Sequence, residues 1–203
     1  MSYDSFHPKA DRIYRVYMDT SKWFVDEANT SGSSLRGNMP YLLANWLKSN
    51  FPEIEDASAI ATAGGSTRPD NFSFLYLDYS FSNIFDLNLP YEMFIQPRPL
   101  IAVIPELDNE ETAKSVKEQF NWDIQYTLPQ WSSNTNIPFN MAIPIGFRYN
   151  EEWLNDWRYY SFQMYILINQ NVDILALQDK LDKVNIPEMS SNPISIVLTW
   201  LFS

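Results

Sequence analysis

The sequence contains no cysteine, a single histidine and few basic residues. The lack of cysteine excludes disulfide bonds, thiolate catalysis and cysteine-ligated zinc. The 14 Lys and Arg residues are outnumbered by 25 Asp and Glu residues, which gives a net charge of −11. Phosphate backbones and anionic membrane surfaces repel such a chain, so we expect no nucleic-acid partner and no binding to anionic lipid.

Long apolar runs are also missing. The longest, Leu100–Ile104 and Ile194–Phe202, are far shorter than the roughly 20 residues that cross a bilayer, and they are typical of strands. Of the 203 residues, 45% are hydrophobic and 16% are aromatic. This composition predicts a folded protein of one domain or two small lobes. The aromatic rings are best explained as core, and a sugar or lipid groove is the alternative.

Few residues are candidates for catalysis or metal binding. His7, the single histidine, stands beside a proline. A triad base needs a partner residue that orients it, and a zinc site needs several ligands, so His7 is a poor candidate for either role. Neighbouring carboxylates occur at Glu53/Glu55, Glu110/Glu111 and Glu151/Glu152. A glycosidase needs two carboxyls from separate elements that face each other across a cleft, whereas the last two pairs suit helix starts. We therefore predict no catalytic, cofactor-binding or metal-binding residues.

Gly64–Pro69, with the sequence GGSTRP, interrupts the apolar pattern. A phosphate-binding loop is a weak interpretation, because no Lys-Ser or Lys-Thr follows and no helix is predicted to begin there. The turn preferences of Gly and Pro favour a linker or hinge instead. We place a boundary between two parts of the chain here.

Both ends of the chain have the same pattern, strand–helix–strand. In the strand Asp11–Asp19, Tyr14, Val16 and Met18 fall on one side. The first unit continues with a helix capped by Asn38 and ended by Phe51-Pro52, and with a strand over Ile54–Thr62. The second unit consists of a strand over Tyr160–Ile168, a helix opened by Asp173 and a strand over Ile194–Leu201. Two such units on one sheet predict a split βαβ, ferredoxin-like lobe.

Residues 70–150 have a mixed pattern. We predict strands over Phe72–Tyr79, Leu100–Ile104, Trp122–Leu128 and Met141–Tyr149, a short helix over Ser80–Leu87 capped by Ser80 or Ser82, and a helix over Asp108–Phe120 capped by Asp108 or Asn109. The predicted fold class is therefore α+β. Residues 1–66 and 154–203 form the ferredoxin-like terminal lobe, and residues 67–153 form a second, mixed α/β lobe inserted into it.

Both ends of the sequence lie directly beside stretches with a folded pattern. Ser2-Tyr3 precedes the first such stretch, and Ser203 follows an apolar strand. We expect the chain to be a domain of a longer protein. An intact gene that stops at Ser203 would refute this expectation.

Five stretches, in order, resemble the extracytoplasmic region of MacB/FtsX-type ABC transporter permeases. They are YDSFHPKADRIYRVYM (Tyr3–Met18), NMPYLLANWLKSNFPEIEDASAI (Asn38–Ile60), YSFSNIFD (Tyr79–Asp86), NIPFNMAIP (Asn136–Pro144) and WRYYSFQMYILINQNVDILALQDKLDKV (Trp157–Val184). Each is weak alone, but as an ordered set they are fairly specific. In one respect the chain departs from the family: Ala113–Phe120 leads directly into Asp123–Thr127, without the usual glycine-containing hairpin.

The resemblance implies a porter-like lobe with a second lobe inserted, and a periplasmic domain of an inner-membrane protein in a Gram-negative bacterium. It implies no enzyme activity, because a separate cytoplasmic ATP-binding subunit or domain of such transporters hydrolyses ATP. The implied role is in transport or efflux, by transmission of ATP-driven movement to an exported substrate or envelope partner. Implied partners are that ATP-binding subunit, a periplasmic adaptor or envelope protein, and a second permease copy.

Two other functions remain open from the residues alone. A surface carbohydrate- or lipid-binding module would use the many aromatic rings. A secreted hydrolase would need a deep cleft with two convergent carboxylates.

Overall fold

The computed structural model describes residues 8–19, 35–64, 72–129, 137, 139–186, 189 and 195–200. The strands of this part are β1 (Ile13–Asp19), β2 (Leu35–Arg36), β3 (Ile54–Gly64), β4 (Ser73–Leu77), β5 (Leu100–Val103), β6 (Asp123–Thr127), β7 (Met141–Pro144), β8 (Gln163–Ile168) and β9 (Ser195–Trp200). The α-helices are α1 (Leu42–Asn50), α2 (Tyr79–Ile84), α3 (Glu92–Ile95), α4 (Glu110–Phe120), α5 (Glu151–Leu154) and α6 (Ile174–Leu181).

The two chain ends build one antiparallel layer with the strand order β9-β1-β8-β3. Since β1 and β3 both run antiparallel to β8 between them, they are parallel to each other, with α1 in their connection. In the same way β8 and β9 flank β1, and α6 connects them. Each unit is a split βαβ, so the predicted ferredoxin-like arrangement of an α+β fold is confirmed.

Amphipathic helices cover one face of this layer. Leu43 and Leu47 of α1 and Leu177 and Leu181 of α6 are buried in one core with Val16 of β1. These leucines therefore form the buried apolar faces of the two helices. The cap of α6 is also confirmed, because Asp173 accepts hydrogen bonds from the N–H groups of the first turn.

The predicted cap of α1 is wrong. Met39 and Phe162 exchange two backbone hydrogen bonds of 2.7 and 3.1 Å, which hold Met39 in an isolated β-bridge next to Asn38. The helix begins only at Leu42, and Tyr41 occupies the cap position without a side-chain hydrogen bond. Tertiary pairing thus overrides a favourable capping residue.

The sheet continues into the middle of the chain through β3. Residues Ile54–Ile60 pair with β8, and Ala61–Gly64 pair antiparallel with β4. Beyond β4 follow β7, β5 and β6, in which β4–β7 and β5–β6 are parallel pairs and β7–β5 is antiparallel. One hydrogen-bonded sheet therefore runs through both parts of the chain. The division at residues 66/67 and 153/154 stays a prediction.

Helix α2 covers the other face of the terminal layer. Phe81 and Phe85 are buried there with Ile13 of β1 and Tyr165 of β8. The cap of α2 is Asp78, which accepts from the Phe81 N–H at 2.9 Å, so the prediction of Ser80 or Ser82 as cap is wrong. The middle of the chain thus completes the core of the terminal layer.

Two further predictions, and one helix that was not predicted, can be compared with the structure. Asn109 caps α4 through the Thr112 N–H, as predicted. The strand predicted over Met141–Tyr149 ends at Pro144, where a 3-10 helix over Ile145–Phe147 follows. Helix α3 was not predicted, because four residues are too few to show a periodic pattern.

Candidate functional site

The starts and ends of the terminal strands meet at one end of the domain, which we call the base: Lys9–Arg12, the end of β8 and Trp200. Tyr14 pairs with Trp200 across β1 and β9. The indole Nε1 of Trp200 also donates to the Ala10 carbonyl at 3.0 Å. The chain therefore enters and leaves the described fold at neighbouring points.

Lys9 connects the base to the middle of the chain. Its Nζ donates to the Asn83 carbonyl at 2.7 Å and forms an ion pair with Asp86. Asn83 lies in the last turn of α2, where the helix dipole and unpaired carbonyls favour a cation. The pair is partly exposed, so it contributes little to stability. Its importance is positional, because it links the first residues of the fold directly to α2.

Arg12 connects the base to the centre of the sheet. Its guanidinium forms an ion pair with Glu55 of β3 and donates to the Ile168 carbonyl of β8 at 2.8 Å. Lys9, Ala10 and Arg12 thus contact four elements of the fold, which are α2, β9, β3 and β8.

A cleft of about 460 Å³ opens at the base. Its polar wall consists of Asp11, Arg12 and Tyr14 together with the Asn169–Asn171 turn. Burial, and then the nearby Asp11, raise the pKa of the Tyr14 hydroxyl. Asp11 is the one carboxylate among the described lining residues, which therefore do not offer the convergent pair that a glycosidase requires.

A half-buried carboxylate, that of Asp78, lies where the terminal layer meets the middle of the chain. Asp78 Oδ1 accepts from the Ser58 hydroxyl at 2.6 Å and from the Phe81 N–H, and Oδ2 accepts from the Tyr41 hydroxyl at 3.3 Å. Burial raises the pKa of Asp78 to about 6, although these hydrogen bonds favour the ionised form. Ser58 is fully buried, so no substrate can reach this group from that side. The cluster connects the starts of α1 and α2 with β3.

The carboxylate pairs singled out in the sequence are not brought together. Glu53 binds Lys180, whose hydrogen bond lowers the pKa of the glutamate, and Glu55 binds Arg12. Glu110/Glu111 and Glu151/Glu152 lie in the first turns of α4 and α5, as predicted for helix-start charges. Within the described ranges no three His, Asp or Glu side chains are arranged to hold a metal ion.

Two sequence candidates lie wholly or partly outside the described residues. His7 is outside them, and so is Gly65–Pro69. Gly64 itself is the last residue of β3 and pairs with Ser73 of β4. The hinge predicted at this connection therefore stays a prediction.

Most aromatic rings of the described part pack against one another. Phe74, Phe81, Phe162 and Tyr165 are fully buried or nearly so. Among the described aromatic residues, Tyr91, Trp153 and Trp200 are the exposed ones. The interpretation of the rings as core therefore holds for these four buried rings, and a ring-lined sugar or lipid groove stays a prediction.

No described helix is both long and apolar enough to span a lipid bilayer. The polar cluster at Asp78 and the contacts at the base were not found from the sequence. Both consist of polar residues that are far apart in the sequence and that come together only in the folded sheet.

Comparisons with known proteins give matches among solved structures only. No family model matches the chain, and no curated protein matches it. A domain of a protein assigned as a permease from Porphyromonas gingivalis superposes with a TM-score of 0.70 at 16% identity, covering 96% of this chain and 91% of that domain.

Two further structures come from named transporters. The periplasmic region of MacB from Actinobacillus actinomycetemcomitans has a TM-score of 0.56 at 9% identity, covering 93% of this chain and 89% of that one. The extracellular domain of the noncanonic ABC-type transporter YknZ from Gram-positive bacteria has a TM-score of 0.57 at 9% identity, covering 91% and 99%. At these identities the likeness concerns the fold. The chain has the fold of MacB-like periplasmic domains, in agreement with the resemblance of its five stretches.

Proposed function

We propose that this chain is the periplasmic domain of an ABC transporter permease, held in the inner membrane of a Gram-negative bacterium. It performs no catalysis. ATP is hydrolysed by a separate cytoplasmic ATP-binding subunit or domain, and the domain passes the resulting movement to an exported substrate or to an envelope partner. A second permease copy and a periplasmic adaptor are its expected associates. The shared fold with the MacB and YknZ domains supports this proposal.

The observation that carries the proposal is the base. A domain inserted between two membrane segments needs its chain to enter and leave at neighbouring points, and the Ala10–Trp200 hydrogen bond joins these points. Lys9 and Arg12 then connect the entry point to α2, β3 and β8. Movement of an attached membrane helix would therefore change the relative populations of different conformations of the whole sheet, and its effect would not be confined to one strand.

The location is tested by cysteine labelling, since the chain has no cysteine of its own. Leu175 is 78% exposed and Leu177 is 1% exposed, and these residues lie two positions apart on opposite sides of α6. In a cysteine-free permease, Leu175→Cys should react with a membrane-impermeant maleimide in cells whose outer membrane is permeabilised. Leu177→Cys is the matched control and should stay unlabelled. Labelling of Leu175→Cys only after lysis of the inner membrane would contradict the proposed location.

Transmission is tested by a cross-link at the base. Lys9→Cys and Asp86→Cys, joined by a short bis-maleimide in the full permease, should fix the entry point to α2. We expect complementation of a deletion strain to be lost while ATP binding to the purified complex is kept. Lys114→Cys and Glu118→Cys, one turn apart on α4, receive the same cross-linker as a control and should keep activity. Full complementation by the cross-linked Lys9–Asp86 pair would rule out this route of transmission.

A further inference from the structure

One edge of the sheet is closed by a side chain. The outer edge of β9 meets Gln178 of α6. The Gln178 amide donates from Nε2 to the Ile196 carbonyl at 2.7 Å and accepts from the Leu198 N–H at 2.9 Å through Oε1. A side-chain amide thus takes the place of a neighbouring strand, which is one way in which proteins protect a sheet edge from pairing.

The opposite edge, β6, has no such cover among the described residues. β6 pairs with β5 alone, and no described backbone or side-chain group binds the main chain of its outer edge. The register shifts between Ile101↔Ile124 and Ala102↔Tyr126, which leaves Gln125 as a bulge without a partner in β5. Asp123, Gln125 and Thr127 are all exposed.

The start of β6 carries an aromatic cleft. It has a volume of about 370 Å³ and lies between α4 and the starts of β5 and β6. Phe120 and Trp122 stack in it with ring centroids 4.7 Å apart, and Arg98 and Lys117 also line it. Lys117 forms an ion pair with Asp123 at 2.8 Å, so Arg98 is the remaining charge among the described lining residues. The lining is therefore mixed, and an aromatic side chain could lie against the two rings and over the Arg98 guanidinium.

The end of β6 has the opposite character. The Thr127 hydroxyl donates to Asp108, which precedes α4. Glu106, Glu110 and Glu111 lie within three residues of Asp108 and are exposed. Four carboxylates therefore gather at this end, in a region that would attract Lys or Arg side chains.

We propose that the β6 edge binds an extended segment of a partner protein by strand addition, with an aromatic side chain in the Phe120–Trp122 cleft and basic side chains beside Asp108. This inference rests on the proposed function for the identity of the partner, an envelope protein that the domain meets outside the inner membrane. Backbone hydrogen bonds supply affinity in this mode, and the two ends supply specificity and direction. Five residues of β6 span about 17 Å, so a segment of about five paired residues is needed.

The probes are two nine-residue peptides of alternating Val and Thr, one with Trp at the N-terminus and two Lys at the C-terminus, the other reversed. They are titrated into the 203-residue chain and followed by amide NMR shifts and hydrogen exchange. We expect one direction to bind, with new protection of β6 amides. Replacement of the Lys residues by Glu should weaken binding by about tenfold or more, because it replaces attraction by repulsion. Equal binding of the Lys and Glu peptides, or unchanged β6 amides at saturation, would overturn the proposal.

Two variants test the site within the protein. Gln125→Pro removes an N–H from the edge at the bulge, where proline is tolerated, and should abolish binding, whereas Gln125→Thr should keep it. If urea titrations show that the proline variant is unfolded, the double variant Glu110→Gln with Glu111→Gln is used instead. This double variant should bind the Lys peptide more weakly and should fold normally. Unchanged binding in both would refute the site. Dimerisation through β6 in ultracentrifugation, unaffected by peptide, would assign the edge to a second copy and also refute it. All these results are independent of the labelling experiment on Leu175.

Discussion

Phe81→Ala is expected to lower the free energy of unfolding by about 3–5 kcal/mol, the usual cost of truncating a fully buried phenylalanine. Phe81 has no exposed surface. Its ring stacks on Phe85 with centroids 4.3 Å apart and meets the edge of Tyr165 at 6.0 Å. Tyr165 belongs to β8 in the centre of the terminal layer, so the truncation opens a cavity between α2 and that layer. Urea denaturation followed by tryptophan fluorescence measures the loss.

The matched control is Tyr91→Ala. Tyr91 is 53% exposed, and its substitution should change the free energy of unfolding by about 0.5 kcal/mol or less. We expect Phe81→Ala to unfold in a single transition at lower urea, because one sheet joins both parts of the chain. Two transitions, with the one of the terminal layer at its original midpoint, would show that α2 does not support that layer.

The terminal layer could be predicted from the sequence because its signals are local. Alternation in β1 and β8 and the helical stripes of α1 and α6 each indicate a buried face without knowledge of the partner. The similar order of elements at both chain ends then restricts the topology to a split βαβ. The pairing of β1 with β9, close to 180 residues apart, follows from this topology and not from any local pattern.

The position of α2 could not be predicted in the same way. Its sequence, YSFSNI, indicates a short helix, but apolar residues on several sides do not say which sheet face it covers. The same limit applies to the polar contacts. Asp78 meets Ser58 and Tyr41, and Gln178 meets β9, through tertiary contacts between residues that are 18 to 37 positions apart. The caps Asn109 and Asp173 could be predicted because donor and acceptor are neighbours in sequence, whereas the caps predicted for α1 and α2 were wrong.

Asp78→Asn is expected to stabilise the protein at pH 8 and to have little effect near pH 4. Burial raises the pKa of Asp78 in the folded protein to about 6, above the ordinary value of 3.8 that it regains on unfolding. Between these values the folded state binds more protons than the unfolded state. The contribution of this group to stability is therefore complete below about pH 4 and is lost as the pH rises through 6. Asparagine keeps an oxygen acceptor for Ser58 and the Phe81 N–H without the buried charge.

The expected gain of Asp78→Asn at pH 8 is about 1–3 kcal/mol, by the conversion of a pKa shift into free energy. It is measured as the difference in free energy of unfolding between variant and parent in urea titrations from pH 4 to 8. Taking the difference removes the effect of other carboxylates, such as Glu53, whose pKa is lowered by Lys180 and which therefore favours folding at higher pH. Asp179→Asn, at an exposed position, is the control and should give a small difference at every pH. A parent more stable than Asp78→Asn at pH 8 would mean that the hydrogen bonds of the ionised carboxylate outweigh its burial, and that Asp78 locks α2 to the terminal layer as a charged group.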